Sequence, residues 1–184
     1  MIILAKNAGF CFGVKRAVDA VETHIGENIV TLGPLIHNRD VVRSLEERGV
    51  ACIERVEDAP EGATVVIRSH GAAPEVYEAL KARGIAYIDA TCPFVKRIHE
   101  RVRAATEAGQ RVIIVGEKGH PEVIGTIGWT GSGAFVVNSE EEIAALPHMD
   151  EAVVVAQTTI TQEKWEHILA ALESRVDHII PFMS

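Results

Sequence analysis

The sequence repeats itself once, and a repeat of this length restricts the chain to architectures built by duplicating one supersecondary unit. Cys11 opens the run Cys11-Phe12-Gly13-Val14-Lys15-Arg16, and 81 positions later Cys92 opens Cys92-Pro93-Phe94-Val95-Lys96-Arg97. Next come Gly33-Pro34-Leu35-Ile36-His37-Asn38 and, 83 positions on, Gly116-Glu117-Lys118-Gly119-His120-Pro121. Arg68-Ser69-His70-Gly71 is answered 89 positions later by Gln157-Thr158-Thr159. Order and spacing are both kept, so two homologous units are expected.

Within each unit, short β-branched runs alternate with amphipathic stretches. The pattern predicts strands at 1–4, 28–32, 51–54, 64–68, 86–88, 111–115, 134–137, 152–156 and 176–180. It predicts helices over 14–24, 40–48, 74–83, 95–108, 122–129, 139–146 and 161–174. Gly49, Gly84 and Gly109 stand where helix stops belong, and Ser139 before Glu140, Glu141 and Glu142 reads as an N-cap with acids in the first turn. Strand–helix alternation at this pace means α/β, with small, mainly parallel sheets flanked by helices. The expected organisation is a strand in 1–12 belonging to a third unit, a first unit at 13–92 and a second at 93–184. The first unit's last strand delivers Cys92, whereas the matching strand near Ile180 is followed only by residues to Ser184. A fragment is therefore expected, with a third cysteine within a few residues of that point.

Composition removes several functional classes. With 184 residues, 47% apolar and 24% charged, the chain has globular balance, which excludes disorder as its dominant state. A formal net charge of −8 offers no basic excess for a general nucleic-acid binder. The apolar runs are far below the ~20 residues of a membrane span, and Met1-Ile2-Ile3-Leu4-Ala5-Lys6 does not read as a secretory signal. A cytoplasmic protein is expected. Its three cysteines, an odd number with no Cys-x-x-Cys pair, argue against a disulfide framework.

Cys11, His37, His70, Cys92, His120 and Thr158 all fall just beyond predicted strands, the edge where parallel α/β units collect ligands. Cys11 and Cys92, one thiol at the same position of each copy, suit an iron–sulfur cluster or another metal. Histidines beside Ser, Thr and Asn suit an anionic oxygen ligand. Glu122, next to Pro121 at a helix mouth, suits proton transfer or simply a first-turn acid favoured by the helix dipole. Cys52 reads as core. Trp129 and Trp165 read as packing residues, and His24, His99, His148, His167 and His178 carry no motif.

Six short words occur in one order: Gly9-Phe10-Cys11-Phe12-Gly13-Val14, His37-Asn38, Ser69-His70-Gly71, Asp89-Ala90-Thr91-Cys92-Pro93, Gly119-His120-Pro121-Glu122-Val123 and Gln157-Thr158-Thr159. Together they resemble the LytB/IspH family, the 4-hydroxy-3-methylbut-2-enyl diphosphate reductases of isoprenoid biosynthesis by the non-mevalonate pathway. The resemblance covers the whole chain. It implies a pseudo-threefold architecture of three α/β units around a central cavity, of which this sequence carries two. It also implies a 4Fe–4S cluster on three cysteines, with Cys11 and Cys92 as two of them and the third absent from this chain. His37, His70 and His120 would hold the diphosphate, Glu122 would donate a proton to the departing hydroxyl, and Thr158 would be its hydrogen-bonding neighbour. Ferredoxin or flavodoxin would be the electron donor, and the fragment alone would be inactive. The competing expectation is a non-catalytic α/β module that binds a phosphorylated small molecule or a protein partner.

Overall fold

The computed structural model describes residues 9–131 and 133–184; the strand expected at 1–4 lies outside them. Two compact units are present. Residues 9–69 and Leu80–Cys92 form the first, and His70–Ala79 with Pro93–Ser184 form the second.

The first unit contains α1 (Phe12–Glu22), β1 (Ile29–Leu32), α2 (Arg39–Glu47), β2 (Ala51–Ile53), β3 (Thr64–Ile67) and β4 (Tyr87–Asp89). Its sheet has the order β2-β1-β3-β4, and every neighbouring pair is parallel. Helix α3 (Pro74–Ala82) starts among residues of the second unit and leads back into β4. The second unit adds α4 (Pro93–Glu107), β5 (Arg111–Val115), α5 (Pro121–Gly128), β6 (Phe135–Val137), α6 (Glu140–Ala144), β7 (Met149–Ala156), α7 (Gln162–Leu172) and β8 (Val176–Phe182). Its order is β6-β5-β7-β8, again all parallel. Position for position this is the first sheet repeated, as the duplicated words require.

Burial explains why β5 and β7 read as continuous apolar runs. Successive side chains in a strand point to opposite faces, and both faces of this sheet are covered. Ile113, Val115 and Val154 pack with Ile143, Trp165, Ile168 and Leu172 from α6 and α7. Val112, Ile114, Val153 and Val155 pack with Ile98, Val102 and Ala105 from α4 and with Val123 from α5. In the first unit Ala17, Val21, Ile29, Leu45, Val66 and Ala90 form the corresponding core.

The helix ends follow local chemistry. Gly49 and Gly109 take φ of +90° and +74°, the left-handed geometry that ends α2 and α4 and that other residues adopt at a cost. Asn38 caps α2 by accepting from the backbone N–H groups of Asp40 and Val41, both at 3.1 Å.

Cys52 departs from the expected core position. It lies half-buried on β2, an edge strand, opposite Thr31 of β1. Burial pushes its thiol pKa up, partly opposed by a hydrogen bond with Thr31. An outer strand has a neighbour on one flank only, which is why the core reading overstates its burial.

Candidate functional site

The carboxyl edge of the first sheet carries two thiols and one imidazole. Cys11 is the exposed N-cap residue of α1, and its side chain makes no cap hydrogen bond. Two residues on, Gly13 is buried, and a Cβ there would overlap Sγ of Cys92. The Cys92 thiol therefore rests on the first turn of the helix that Cys11 caps. Its loop is held in place from several sides. The Cys92 N–H donates to the Ser69 carbonyl at 2.9 Å. The Thr91 N–H donates to Asp89 Oδ1 at 3.0 Å. The Arg16 guanidinium, from the repeated Val-Lys-Arg run, donates to the carbonyls of Thr91 and Asp89 at 2.9 and 3.3 Å. Two thiols against a helix N-terminus, where the dipole favours negative charge, suit an anionic thiolate–metal group. His37 is exposed, after β1 and directly before the Asn38 cap.

The second unit brings together His70, His120, Glu122 and Thr158. His120 is itself the N-cap of α5, with Nδ1 accepting from the Glu122 N–H at 3.1 Å. A neutral imidazole that accepts through Nδ1 carries its hydrogen on Nε2. His70 meets His120 edge-on, with ring centroids 5.6 Å apart. Although His70 follows β3, it clusters with this unit.

Glu122 is 3% exposed and lies in the first turn of α5. One carboxylate oxygen accepts from the Thr158 N–H at 2.6 Å and the other from the Thr158 hydroxyl at 2.7 Å. Burial raises its pKa above the ordinary value, opposed by those two bonds. In the acid form the second bond can reverse, with the carboxyl O–H donating to Oγ1 of exposed Thr158. Buried Gln157 braces the arrangement: Oε1 accepts from the Glu117 N–H at 3.1 Å, and Nε2 donates to the Thr159 hydroxyl at 2.7 Å. Gln157 lies so close to Gly116 that a Cβ there would come within 2.9 Å of its Oε1. The sequence signal for this brace was the paired Gly116 and Gln157 of the second copy. In the first copy Gly33 and Arg68 take those places, the guanidinium lying 2.6 Å from where a Gly33 Cβ would stand.

The raised pKa has a consequence for stability. The folded state holds the Glu122 proton more tightly than the unfolded chain does. Stability therefore falls as pH rises from the ordinary carboxylate value through the folded one. Glu122→Gln should abolish that part of the fall, and denaturant titrations of both proteins at a series of pH values would show it. Parallel pH profiles would mean that Glu122 titrates normally.

These features define a duplicated parallel α/β protein that presents soft thiols, imidazoles and one buried acid beyond its strand ends. The family model described as LytB protein matches residues 2–183. The 4-hydroxy-3-methylbut-2-enyl diphosphate reductase of Caldanaerobacter subterraneus subsp. tengcongensis is 43% identical over 98% of this chain and 65% of its own length. That of Clostridium perfringens strain 13 is likewise 43% identical, with the same coverage. A solved structure of (E)-4-hydroxy-3-methyl-but-2-enyl diphosphate reductase, the terminal enzyme of the non-mevalonate pathway, matches with a TM-score of 0.84 and 44% identity. It is covered over 66% of its chain, and this chain over 99%. The Plasmodium falciparum E-1-hydroxy-2-methyl-but-2-enyl-4-diphosphate reductase matches with a TM-score of 0.90 and 30% identity, over 96% of this chain and 57% of that one. This chain belongs to the LytB protein family. It spans about 65% of the length of the first curated relatives it matches. Among the described residues, no helix is long and apolar enough to cross a membrane.

Proposed function

We propose that this chain, in a protein of its relatives' length, takes part in reducing 4-hydroxy-3-methylbut-2-enyl diphosphate to isopentenyl and dimethylallyl diphosphates. The allylic C–O bond breaks, the hydroxyl leaves as water, and a carbon of the allyl group takes a hydrogen. Two electrons and two protons enter, with ferredoxin or flavodoxin as the electron source in a cytoplasmic setting.

The observation that carries this reading is the buried Glu122 bonded to Thr158 beside the His120 cap. A buried carboxyl whose pKa burial raises can serve as a general acid, and the exposed Thr158 hydroxyl gives it a route outward. His120 and His70 offer ring N–H groups to diphosphate oxygens, with His37 from the first unit as the third imidazole. Cys11 and Cys92 are the thiols that would hold a 4Fe–4S cluster, with a third ligand still to be supplied. Cys52, bonded to Thr31 on the outer strand, does not suit that role. When bound, such a cluster supplies the two electrons in single steps.

The test is anaerobic incubation of the full-length, cluster-reconstituted protein with this diphosphate and a chemical reductant, with product analysis. Both five-carbon diphosphates are expected. A fully loaded protein that leaves the substrate untouched would overturn the assignment and favour a binding module.

A further inference from the structure

In the second unit, His70 sits on a segment with no regular structure, residues 70–73, yet its ring meets His120 in a defined edge-on contact. Something must hold that segment in register with α5. The contacts that do so lie at the far end of α5. The indole N–H of Trp129, the C-cap residue of α5, donates to the Ala72 carbonyl at 2.9 Å, two residues beyond His70. Trp129 is itself fixed: His99 stacks on it at 5.3 Å with an interplanar angle of 20°, and Tyr77 meets its edge at 6.0 Å. His99 is 3% exposed and belongs to α4, whose core packing anchors the stack. Along α5 the approach of residues 72–74 is permitted by glycine. The backbone of Ala72 lies 3.7 Å from where a Gly125 Cβ would stand, and a Cβ on Gly128 would overlap the Ala73 side chain.

One helix therefore presents His120 and Glu122 at its beginning and grips the His70 segment at its end. We infer that Trp129 is a positioning residue, which with Gly128 sets His70 against His120 so that both ring N–H groups reach one anion. The inference rests on the reading of these two histidines as diphosphate ligands. Trp129 touches no reacting atom. Its indole N–H fixes one carbonyl, and that carbonyl fixes the placement of the imidazole two residues earlier.

The geometry supplies its own control. Gly125→Ala adds a methyl at ordinary contact distance, whereas Gly128→Ala must push residues 73 and 74 away. Gly125 is interior to α5 and Gly128 is its last residue, so a general helix effect of alanine would be at least as large at Gly125 as at Gly128. Trp129→Phe keeps an aromatic ring for His99 while removing the donor and part of the ring volume.

The experiment follows the imidazole resonances of His70 and the His70–His120 ring NOE in the ligand-free chain, then affinity for inorganic pyrophosphate. In Trp129→Phe and Gly128→Ala the NOE should weaken and the His70 resonances move. Pyrophosphate binding should fall by roughly tenfold, the scale of one hydrogen bond to a charged group. Gly125→Ala should match wild type in all three. An unchanged His70 and NOE in folded Trp129→Phe would overturn the inference, as would equal effects of Gly125→Ala and Gly128→Ala. If wild type binds pyrophosphate no better than His70→Ala, the diphosphate reading fails instead. The ligand-free spectra then still decide whether Trp129 positions His70.

Discussion

Replacing Glu122 by glutamine is expected to cut turnover of the full-length enzyme by about 10²–10⁴-fold, the usual contribution of a positioned general acid. Substrate affinity should change little, because protonation of the leaving hydroxyl matters only in the transition state. Glutamine is nearly isosteric and can still accept the Thr158 N–H, so the α5 start and the His120 cap should survive. The readout is kcat and KM measured with cluster content on the same sample. Wild-type turnover at full cluster content would remove Glu122 from the mechanism and return it to the role of a buried structural acid.

Gly13→Ala should be nearly as damaging, and for a steric reason. In an open helix this change would stabilise by roughly 0.5–1 kcal/mol. Here the added methyl must displace Cys92 Sγ or tilt α1. Overpacking of that kind costs about 1–3 kcal/mol. The expected result is a lower unfolding midpoint, together with loss of most of the iron that the reconstituted full-length protein retains. A variant with a higher midpoint and undiminished iron would place Cys92 away from the first turn of α1.

The duplicated words made the architecture legible, and the two sheet orders repeat each other strand for strand. Strand β5 matches its predicted range of 111–115, because an apolar run flanked by Gly109 and Gly116 has no other reading. Helix ends moved by up to two residues where capping, which depends on individual side chains, decided the boundary. His37 and His120 occupy the same place in the repeated word, yet only His120 caps its helix. The following residue explains the difference. Asn38 has a side-chain acceptor and takes the cap, whereas Pro121 has none, so the histidine before it does the work.

Long-range contacts were not legible. Nothing local says that Gly13 makes room for Cys92, that Trp129 reaches Ala72, or that Glu122 is buried rather than solvated. Sequence alone leaves Glu122 between two roles; the structure adds its burial and the Thr158 bonds, and the Glu122→Gln kinetics decide between the roles. Cys52 was misjudged because its apolar neighbours look the same on an outer strand as on a central one.

The claim on which the rest depends is that Cys11 and Cys92 serve the redox group. Iron and sulfide content and visible absorbance after anaerobic reconstitution, compared across Cys11→Ser, Cys92→Ser and Cys52→Ser in the full-length protein, test it most directly. The expected outcome is loss of the brown chromophore in the first two variants and its retention in Cys52→Ser. Chromophore and iron at wild-type levels in Cys11→Ser and Cys92→Ser would contradict it.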